Sequence, residues 1–367
     1  MTRGPGGVSR GPGGRAPRVA ILAEGQFARA TAKTAIGVLR YAPFEVVAVV
    51  DSTRAGTDAA ECVGVGMGVP VVADVPTALA RGATVLLIGT AAAGGRIPDE
   101  YRPALAAALE RGVAVWNGLH ERVLSDPALA AAATRGRATV RELREPPADL
   151  EIGGHRRRRT GAHVVLTVGS DAAVGKMTAA LELVAALRRA GECAAFVATG
   201  QTGIAIAGSG IAVDAVVSDF IAGAAERITC DAAEKADWVL VEGQGSLTHP
   251  GFSGVTLGLL HGCAPDLMVL CHDSTRAAVK AHDELPLRTF GELLRIYEDA
   301  ALWSRPPGSP RIPVVAVALN TAALDERSAA RAVAQAAAET GLPAADPIRE
   351  GAAGGDRLAR ALLAAAR

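Results

Sequence analysis

Residues 164–189 read VVLTVGSDAAVGKMTAALELVAALRR, and this stretch decides how the second half of the chain is organised. The apolar run at residues 164–168 predicts a buried strand. Apolar side chains at helical spacing after residue 180 predict an amphipathic helix. A loop with two glycines lies between them, and a lysine stands where the helix begins. A strand, a glycine loop and a helix in this order are typical of a phosphate-binding loop, or P-loop.

The chemistry of this loop suits an anion. Gly169 and Gly175 allow a tight backbone turn whose N–H groups face a phosphate, and Lys176 adds a cation. Met177 occupies the usual Ser/Thr position, so Thr178 must supply the hydroxyl for magnesium, or the metal is held elsewhere. The alternative is a plain glycine turn with a solvated lysine. The predicted anion site comprises Gly169, Ser170, Asp171, Val174, Gly175, Lys176, Met177 and Thr178.

Composition limits the classes of function. The 367 residues suffice for two α/β domains, and a formal net charge of +0 does not favour nucleic-acid binding. Five cysteines without paired spacing indicate a reducing compartment, so we expect a cytoplasmic protein without zinc. No apolar run is long enough to span a membrane. An alanine-rich surface suggests a homo-oligomer.

The boundaries follow from changes in composition. Residues 1–17 are rich in Gly, Pro and Arg and are expected to be a disordered tail. Residues 18–150 alternate strand and helix patterns, which predicts a doubly wound parallel sheet of Rossmann-like topology. Residues 151–162 contain a basic run and read as a linker, with the arginines solvated or in contact with a polyphosphate. Residues 163–367 form the predicted P-loop domain.

The first domain lacks the three-glycine dinucleotide fingerprint after its first strand. Asp51 follows the second strand and either holds a ribose or caps its own turn, and we favour the cap. Two loops at the carboxyl edge of the sheet are rich in polar groups. Gly94, Gly95 and Arg96 are candidates for binding a carboxylate or phosphate, and His120 and Glu121 for proton transfer; turn and capping roles are equally open.

In the second domain, polar groups follow three further strands. The loop at residues 199–203 offers Gln201 and Thr202 to a substrate, and Asp214 and Asp219 come later. Each aspartate could support magnesium or an amino group, or simply start a helix. The strand at residues 238–242 ends in an acid where P-loop enzymes place a magnesium ligand. The predicted ligands there are Glu242 for the metal and Gly243 and Gln244 for the substrate.

Basic groups complete the predicted site. His249 and His272 are candidates for proton transfer, and Arg276 for binding a substrate carboxylate. Structural roles for these side chains are about as plausible. Asn320, just past the last clear strand, matches the donor and acceptor edge of adenine.

Several motifs resemble known families. GSDAAVGKMT with VEGQGS is similar to dethiobiotin synthetase and its relatives. A longer set resembles a two-domain family associated with D-glutamate N-acetylation, and it covers most of the chain after residue 17. The motifs of that set are KTAIGVLRY, VVDSTRAG, AAAGGRIP, GLHERVLSDP, GSDAAVGKMTAALEL, ATGQTGIAIAG, VSDFIAGAAE, VEGQGSLTHPG and LNT.

The resemblance implies a Rossmann-like domain, a P-loop domain and acetyl transfer from acetyl-CoA to the amino group of D-glutamate. Residue chemistry alone favours a different reaction, in which ATP and Mg²⁺ activate a small-molecule carboxylate as in a kinase or ligase. A nucleotide-binding regulatory protein without turnover is the third alternative. Each of the three predicts a small-molecule ligand at the P-loop.

Overall fold

The structure is a computed structural model that describes residues 16–28, 30–91 and 93–366. The predicted tail therefore lies outside the described residues, except for Ala16 and Pro17. The chain forms two compact units. The first comprises the described residues up to Pro146 together with Gly200–Ala215, and the second comprises Pro147–Thr199 and the residues from Val216 onward. The predicted domain limits stay predictions. They did not include the segment Gly200–Ala215 in the first unit.

The first unit contains a six-stranded sheet in which every strand pair is parallel. Its strand order is 3-2-1-4-5-6, the order of the Rossmann fold, which confirms the predicted topology. The strands are β1 (Arg18–Leu22), β2 (Glu45–Val50), β3 (Val71–Val72), β4 (Val85–Ile88), β5 (Ala114–Asn117) and β6 (Val140–Glu142).

Short helices connect these strands, and three of them begin at an aspartate. The carboxylates of Asp58, Asp74 and Asp126 accept hydrogen bonds from the first backbone N–H groups, which explains where these helices start. The helices are α1 (Lys33–Tyr41), α2 (Ala59–Val63), α3 (Val75–Ala80), α4 (Arg102–Glu110) and α5 (Pro127–Gly136).

The second unit contains another six-stranded parallel sheet and a two-stranded antiparallel hairpin. The hairpin and the two-residue last strand have no clear sequence signal and were not predicted. The strands are β7 (His163–Gly169), β8 (Ala194–Val197), β9 (Trp238–Val241), β10 (Leu267–Asp273), β11 (Ala278–Val279), β12 (His282–Pro286), β13 (Val314–Asn320) and β14 (Ala344–Ala345).

The remaining helices follow these strands. One of them, α7, belongs to the first unit, because the segment Gly200–Ala215 that contains it packs there. The helices are α6 (Lys176–Arg189), α7 (Gln201–Ala207), α8 (Ile221–Ala233), α9 (Ser253–Cys263), α10 (Phe290–Ala300), α11 (Glu326–Thr340) and α12 (Ala352–Ala365). Among the described residues, no helix is both long and apolar enough to cross a membrane.

The sheet order of the second unit places the predicted anion loop. The order is β14-β13-β10-β7-β9-β8, so β7 is central. The chain leaves β7 toward β8 and β9 on one side and later builds β10, β13 and β14 on the other. Ligands of open α/β sheets bind at the carboxyl edge where the strand order reverses in this way. The loop after β7 lies at that point.

Two local predictions were wrong. Residues 199–203 were expected to be a loop, but α7 begins at Gln201 because the apolar run that follows is helical. Asn320 was expected just past a strand, but it is the last residue of β13 and pairs in register with Asp273.

Candidate functional site

The backbone of the P-loop requires glycine at both predicted positions. A Cβ on Gly169 would lie 2.7 Å from Nζ of Lys176 and 2.9 Å from the carbonyl oxygen of Asp171. Gly175 has φ +101°, a left-handed conformation that disfavours other residues. Helix α6 begins directly after Gly175, and no side chain of the described region caps it. Its first N–H groups therefore lack intrahelical acceptors and can bind an anion.

Lys176 is the buried cation of this loop. Its side chain is 6% exposed, and Nζ donates a hydrogen bond to the carbonyl oxygen of Asp171 at 2.8 Å. Burial lowers the pKa of Lys176 to about 8, although the neighbouring carboxylates of Asp171 and Glu242 oppose this shift. A buried ammonium whose desolvation is only partly offset by nearby carboxylates is stabilised when an anion binds beside it. The electrostatics of the loop thus favour a negatively charged ligand.

Asp171 and Arg276 fix the shape of the loop. The buried carboxylate of Asp171 accepts hydrogen bonds from Nη1 of Arg276 at 2.8 Å, from the N–H of Lys280 at 2.7 Å and from the N–H of Ala172 at 2.6 Å. Nη1 of Arg276 also donates to the carbonyl oxygen of Ala172 at 2.6 Å. Arg276 therefore has a protein carboxylate as its partner, and its role in substrate binding stays a prediction.

His272 lies beside the loop on β10. Its Nδ1 is 2.9 Å from Oγ of Ser170, and its ring packs edge-on against Phe290 with the ring centroids 5.1 Å apart. Burial lowers the pKa of His272, so the imidazole is neutral at pH 7. A neutral imidazole held by a loop hydroxyl is able to accept a proton.

His249 has a different environment. Its side chain is 4% exposed and stacks on Phe252, with ring centroids 4.4 Å apart. Its Nδ1 accepts a hydrogen bond from the N–H of Gly251 at 3.0 Å, which places the proton of the neutral ring on Nε2. Nε2 is therefore a hydrogen-bond donor rather than a base.

Glu242 follows β9 at the same edge. Its side chain is 5% exposed, Oε2 accepts from the N–H of Thr199 at 3.0 Å, and its carbonyl oxygen accepts from Oγ1 of Thr199 at 2.6 Å. Nε2 of Gln244 donates to the same threonine hydroxyl at 3.2 Å. Gly243 is confined, because a Cβ there would lie 1.7 Å from the carbonyl oxygen of Thr167.

The predicted magnesium ligands are chemically suitable. Thr178 is half-buried, and a hydroxyl with a carboxylate matches the oxygen donors that Mg²⁺ prefers when phosphate oxygens supply further ligands. Within the described ranges, no three or more His, Cys, Asp or Glu side chains cluster as a metal site. Thr178 and Glu242 are the protein oxygen donors that would hold the metal beside a phosphate.

Tyr297 is a loop-supporting residue that the sequence analysis missed. It comes from α10, is buried, and its hydroxyl donates to the carbonyl oxygen of Gly169 at 2.7 Å. The hydroxyl oxygen of Tyr297 also accepts from the N–H of Leu247 at 3.2 Å. Tyr297 lies 128 residues from the glycine, so no local pattern in the sequence could reveal this contact.

Two of the predicted substrate residues belong to the first unit. Oγ1 of Thr202 is 2.7 Å from Oγ1 of Thr34, and Oε1 of Gln201 accepts from Nη2 of Arg144 at 2.7 Å. Arg144 also pairs with Asp214. All three contacts stay within that unit. The structure therefore gives Gln201 and Thr202 buried protein partners, and their role in substrate binding stays a prediction.

Two more predicted residues lie in the second unit. Asp219 is exposed in a 3-10 turn, Ser218–Phe220. Asn320 is half-buried, and its Oδ1 accepts from the N–H of Ala322 at 3.2 Å. Its place at the carboxyl end of β13 puts it on the edge that carries the P-loop, two strands from β7.

The carboxyl edge of the first unit is built differently. A cavity of about 710 Å³ there is lined by Gly94, Gly95, Arg96 and His120, among others. Glu121 accepts from the N–H of Ile97 at 2.9 Å and pairs with Arg102 at 2.9 Å, and these two contacts lower its pKa. Glu121 is therefore held as a carboxylate.

Comparison with known proteins identifies the family that has this architecture. A model of the P-loop domain of the DUF1611 family, described as a domain of unknown function, matches residues 151–356. The chain belongs to the DUF1611 family. The Rossmann-like N-terminal domain of the same family matches residues 52–146. These matches confirm the predicted combination of a Rossmann-like domain with a P-loop domain.

Relatives of similar length exist among curated proteins and solved structures. A D-glutamate N-acetyltransferase of Tritonibacter scottomollicae is 39% identical over 287 residues, which cover 78% of this chain and 83% of the relative. One of a Pseudoalteromonas species is 34% identical over 74% of this chain and 79% of the relative. The crystal structure of a DUF1611 family protein from Anabaena variabilis ATCC 29413 is similar with a TM-score of 0.86 and 39% identity, covering 95% of this chain and 99% of that chain.

Proposed function

We propose that this protein transfers an acetyl group from acetyl-CoA to the amino group of D-glutamate or a close chemical relative. The observation that carries the proposal is the similarity to two D-glutamate N-acetyltransferases at 39% and 34% identity over about three quarters of the chain. The geometry of the second unit is compatible with it, because acetyl-CoA carries phosphate groups that suit an anion-binding loop.

The P-loop would hold the acyl donor through its phosphates. The first N–H groups of α6 face the anion, and Lys176 supplies the neutralising charge. Asp171, Arg276 and Tyr297 act on the loop itself, since their contacts fix its backbone. Binding a phosphate beside the buried ammonium would raise the pKa of Lys176 back toward its ordinary value.

The transfer needs a free amine. The substrate ammonium gives one proton to a base, the nitrogen attacks the thioester carbonyl carbon, and the C–N bond forms. The C–S bond then breaks, and CoA leaves as a thiolate that takes up the second proton lost by the nitrogen. One proton is released overall, and the products are the N-acetyl amino acid and CoA.

His272 is our candidate for the base. Its lowered pKa keeps the imidazole unprotonated at pH 7, and Ser170 orients the ring through Nδ1. His249 presents an Nε2–H and would donate a hydrogen bond, either to the developing oxyanion or to a substrate carboxylate. The two histidines thus have opposite roles, one accepting and one donating.

The decisive assay follows the release of CoA thiol from acetyl-CoA by the purified protein. We expect release when D-glutamate is added, little or none with L-glutamate or without an acceptor, and a product with the mass of N-acetylglutamate. Lys176→Ala and His272→Ala should both lose this activity. Absence of release across a panel of D- and L-amino acids would contradict the proposal.

A second candidate is activation of a small-molecule carboxylate by ATP and Mg²⁺. It is favoured by the joint presence of Lys176, Thr178 and Glu242, the set that phosphoryl transfer requires. This alternative predicts ADP formation that depends on both Mg²⁺ and a carboxylate substrate. ADP formation without any CoA release would establish it in place of acetyl transfer.

A cytoplasmic location and self-association stay predictions from cysteine usage and the alanine-rich composition. Size-exclusion chromatography with light scattering measures the second directly. A monomer at micromolar concentration would contradict the expected homo-oligomer.

A further inference from the structure

The second unit contains a cavity that the proposed function does not use. Its volume is about 560 Å³, and it is lined by the segment that precedes β7, by parts of α8 and α9 and by residues between α10 and β13. These segments lead into β7, β9, β10 and β13, so the cavity lies at the amino edge of the sheet. The P-loop lies at the opposite edge. We call this cavity the arginine pocket, defined by Arg156, Arg157, Arg158, Arg159, Arg305 and Thr229.

Three of its five arginines have carboxylate partners. Arg158 pairs with Asp266 at 3.0 Å, Arg159 pairs with Asp237 at 2.7 Å, and Arg156 lies 3.4 Å from Asp231. These three pairs are formed with acidic residues outside the lining, and Glu226 is the acidic residue within it. The pairs hold the basic segment against the unit. Arg158 and Arg159 are half-buried there, whereas Arg156 and Arg157 are exposed to solvent.

The other two arginines leave positive charge in the pocket. Arg157 is exposed and has no hydrogen-bond or ion-pair partner among the residues that the structure describes. Arg305 is half-buried, and Nη2 donates to the carbonyl oxygen of Pro265 at 2.6 Å. Both oxygens of the nearby Asp266 are already used, by Arg158 and by the N–H of Val164. Burial consequently lowers the pKa of Arg305, as expected for a guanidinium without a carboxylate of its own.

A buried hydroxyl supplies an independent sign of a missing ligand. Thr229, on α8, lines the pocket and is 1% exposed. Its Oγ1 is buried and has no hydrogen-bond partner within the described part of the chain. Buried polar atoms in native proteins nearly always have a partner, and this orphan belongs to a residue of the pocket wall, so the Thr229 hydroxyl is a candidate donor to a ligand there.

We propose that the arginine pocket binds a phosphate group, as inorganic phosphate, as pyrophosphate or as the phosphate end of a nucleotide. Phosphate oxygens accept from guanidinium groups in the fork geometry of arginine and from a threonine hydroxyl. The volume admits a nucleotide. The site is separate from the P-loop, and the proposal does not depend on acetyl transfer.

The test uses the full chain and a local readout, because the P-loop is itself expected to bind phosphates. Hydrogen–deuterium exchange is measured with phosphate, pyrophosphate or ADP at constant ionic strength, with chloride as the reference anion. We expect at least one phosphate ligand to protect amides of residues 153–162 in wild type. Arg157→Gln combined with Arg305→Gln should remove this protection and leave any protection at residues 169–178 unchanged.

Two further variants separate binding from folding. Thr229→Val replaces the orphan hydroxyl with a methyl group of equal size, so it should weaken the protection severalfold while the melting temperature stays equal or rises. Arg288→Gln, an exposed arginine of the same unit, is the matched control and should behave as wild type. The proposal is wrong if no phosphate ligand protects residues 153–162, or if the double variant and Thr229→Val are protected like wild type.

Discussion

The first strands of the two units, β1 and β7, both lie inside their sheets, and a glycine-containing loop follows each of them. The two loops differ in the charged side chain that contacts their backbone. After β1, the carboxylate of Asp51 accepts from the N–H groups of Gly25 and Phe27, each at 3.1 Å. It also accepts from the N–H and hydroxyl of Thr53. After β7, the side chain beside the loop is the ammonium of Lys176.

This difference predicts that the two loops bind anions unequally. In the first unit an internal carboxylate takes the donors that a ligand anion would need. In the second, the carboxylate of Asp171 accepts from Arg276 and Lys280, and the start of α6 is left without a cap. We therefore expect an anion at the second loop, where the first N–H groups of α6 have no side-chain acceptor.

The largest expected effect is on activity when the cation of the P-loop is removed. Lys176→Ala should lower kcat/KM for acetyl transfer by about 10³-fold, as for loss of a preorganised charge in a water-poor site. The folded state should not be weakened, because the substitution removes a buried charge whose pKa is already lowered. Steady-state assays and thermal melts measure the two effects. The control is Lys235→Ala, which changes an exposed lysine outside the site. Equal loss of activity in both variants would contradict a special role for the cation of the P-loop.

The buried lysine should also give the protein a specific pH dependence. The pKa of Lys176 is about 8 in the folded chain and 10.5 when exposed, so the unfolded chain binds more protons between these values. The free energy of unfolding should therefore rise as pH increases from about 8 to 10.5, by about 3 kcal/mol in total for this group. Denaturant melts of wild type and Lys176→Met isolate its contribution. Parallel pH curves for the two proteins would show that the ammonium is not buried.

The next effect concerns the base beside the P-loop. His272→Ala should lower kcat about 10²-fold at pH 7, within the usual range for general-base catalysis. In wild type, burial lowers the pKa of His272, so the acid limb of the pH profile should fall below the ordinary value of 6.5. His163→Gln, at the other end of β7, is the matched control for activity. If the acid limb of the pH–activity profile is unchanged in His272→Ala, the general base is another group.

The smallest effect tests the first loop. Asp51→Ala should destabilise the protein by about 2 kcal/mol, because the buried N–H of Phe27 and the partly buried N–H of Gly25 lose their acceptor. Activity per folded molecule should change less than about threefold, since no step of the transfer is assigned to this loop. Denaturant melts and activity assays are compared with the exposed control Glu100→Ala. A large loss of activity at full stability would mean that the first loop binds a ligand after all.

The sequence was sufficient for the fold and for the P-loop, because both are encoded in local patterns. Continuous apolar runs that alternate with helical spacing identify a parallel α/β protein. The order of strand, glycine loop and helix with Lys176 at its start identifies the P-loop. Asp51 was also assigned correctly as a turn cap, since the Asp-Ser-Thr sequence favours that role.

Features that depend on tertiary contacts could not be predicted from local sequence patterns. The contact of Tyr297 with Gly169 and the arginine pocket join segments that are distant in sequence. The transfer of the segment Gly200–Ala215 to the first unit is likewise set by packing, here of Thr202 against Thr34. Periodicity reports which residues are buried, but it does not report against which partner.

The central claim is that the P-loop of the second unit binds the phosphates of the acyl donor. Calorimetric titration of CoA into wild type, Lys176→Ala and Lys235→Ala tests it without requiring turnover. We predict that the dissociation constant rises at least tenfold, about 1.4 kcal/mol, in Lys176→Ala and is unchanged in Lys235→Ala. Equal affinity of all three proteins for CoA would contradict the account.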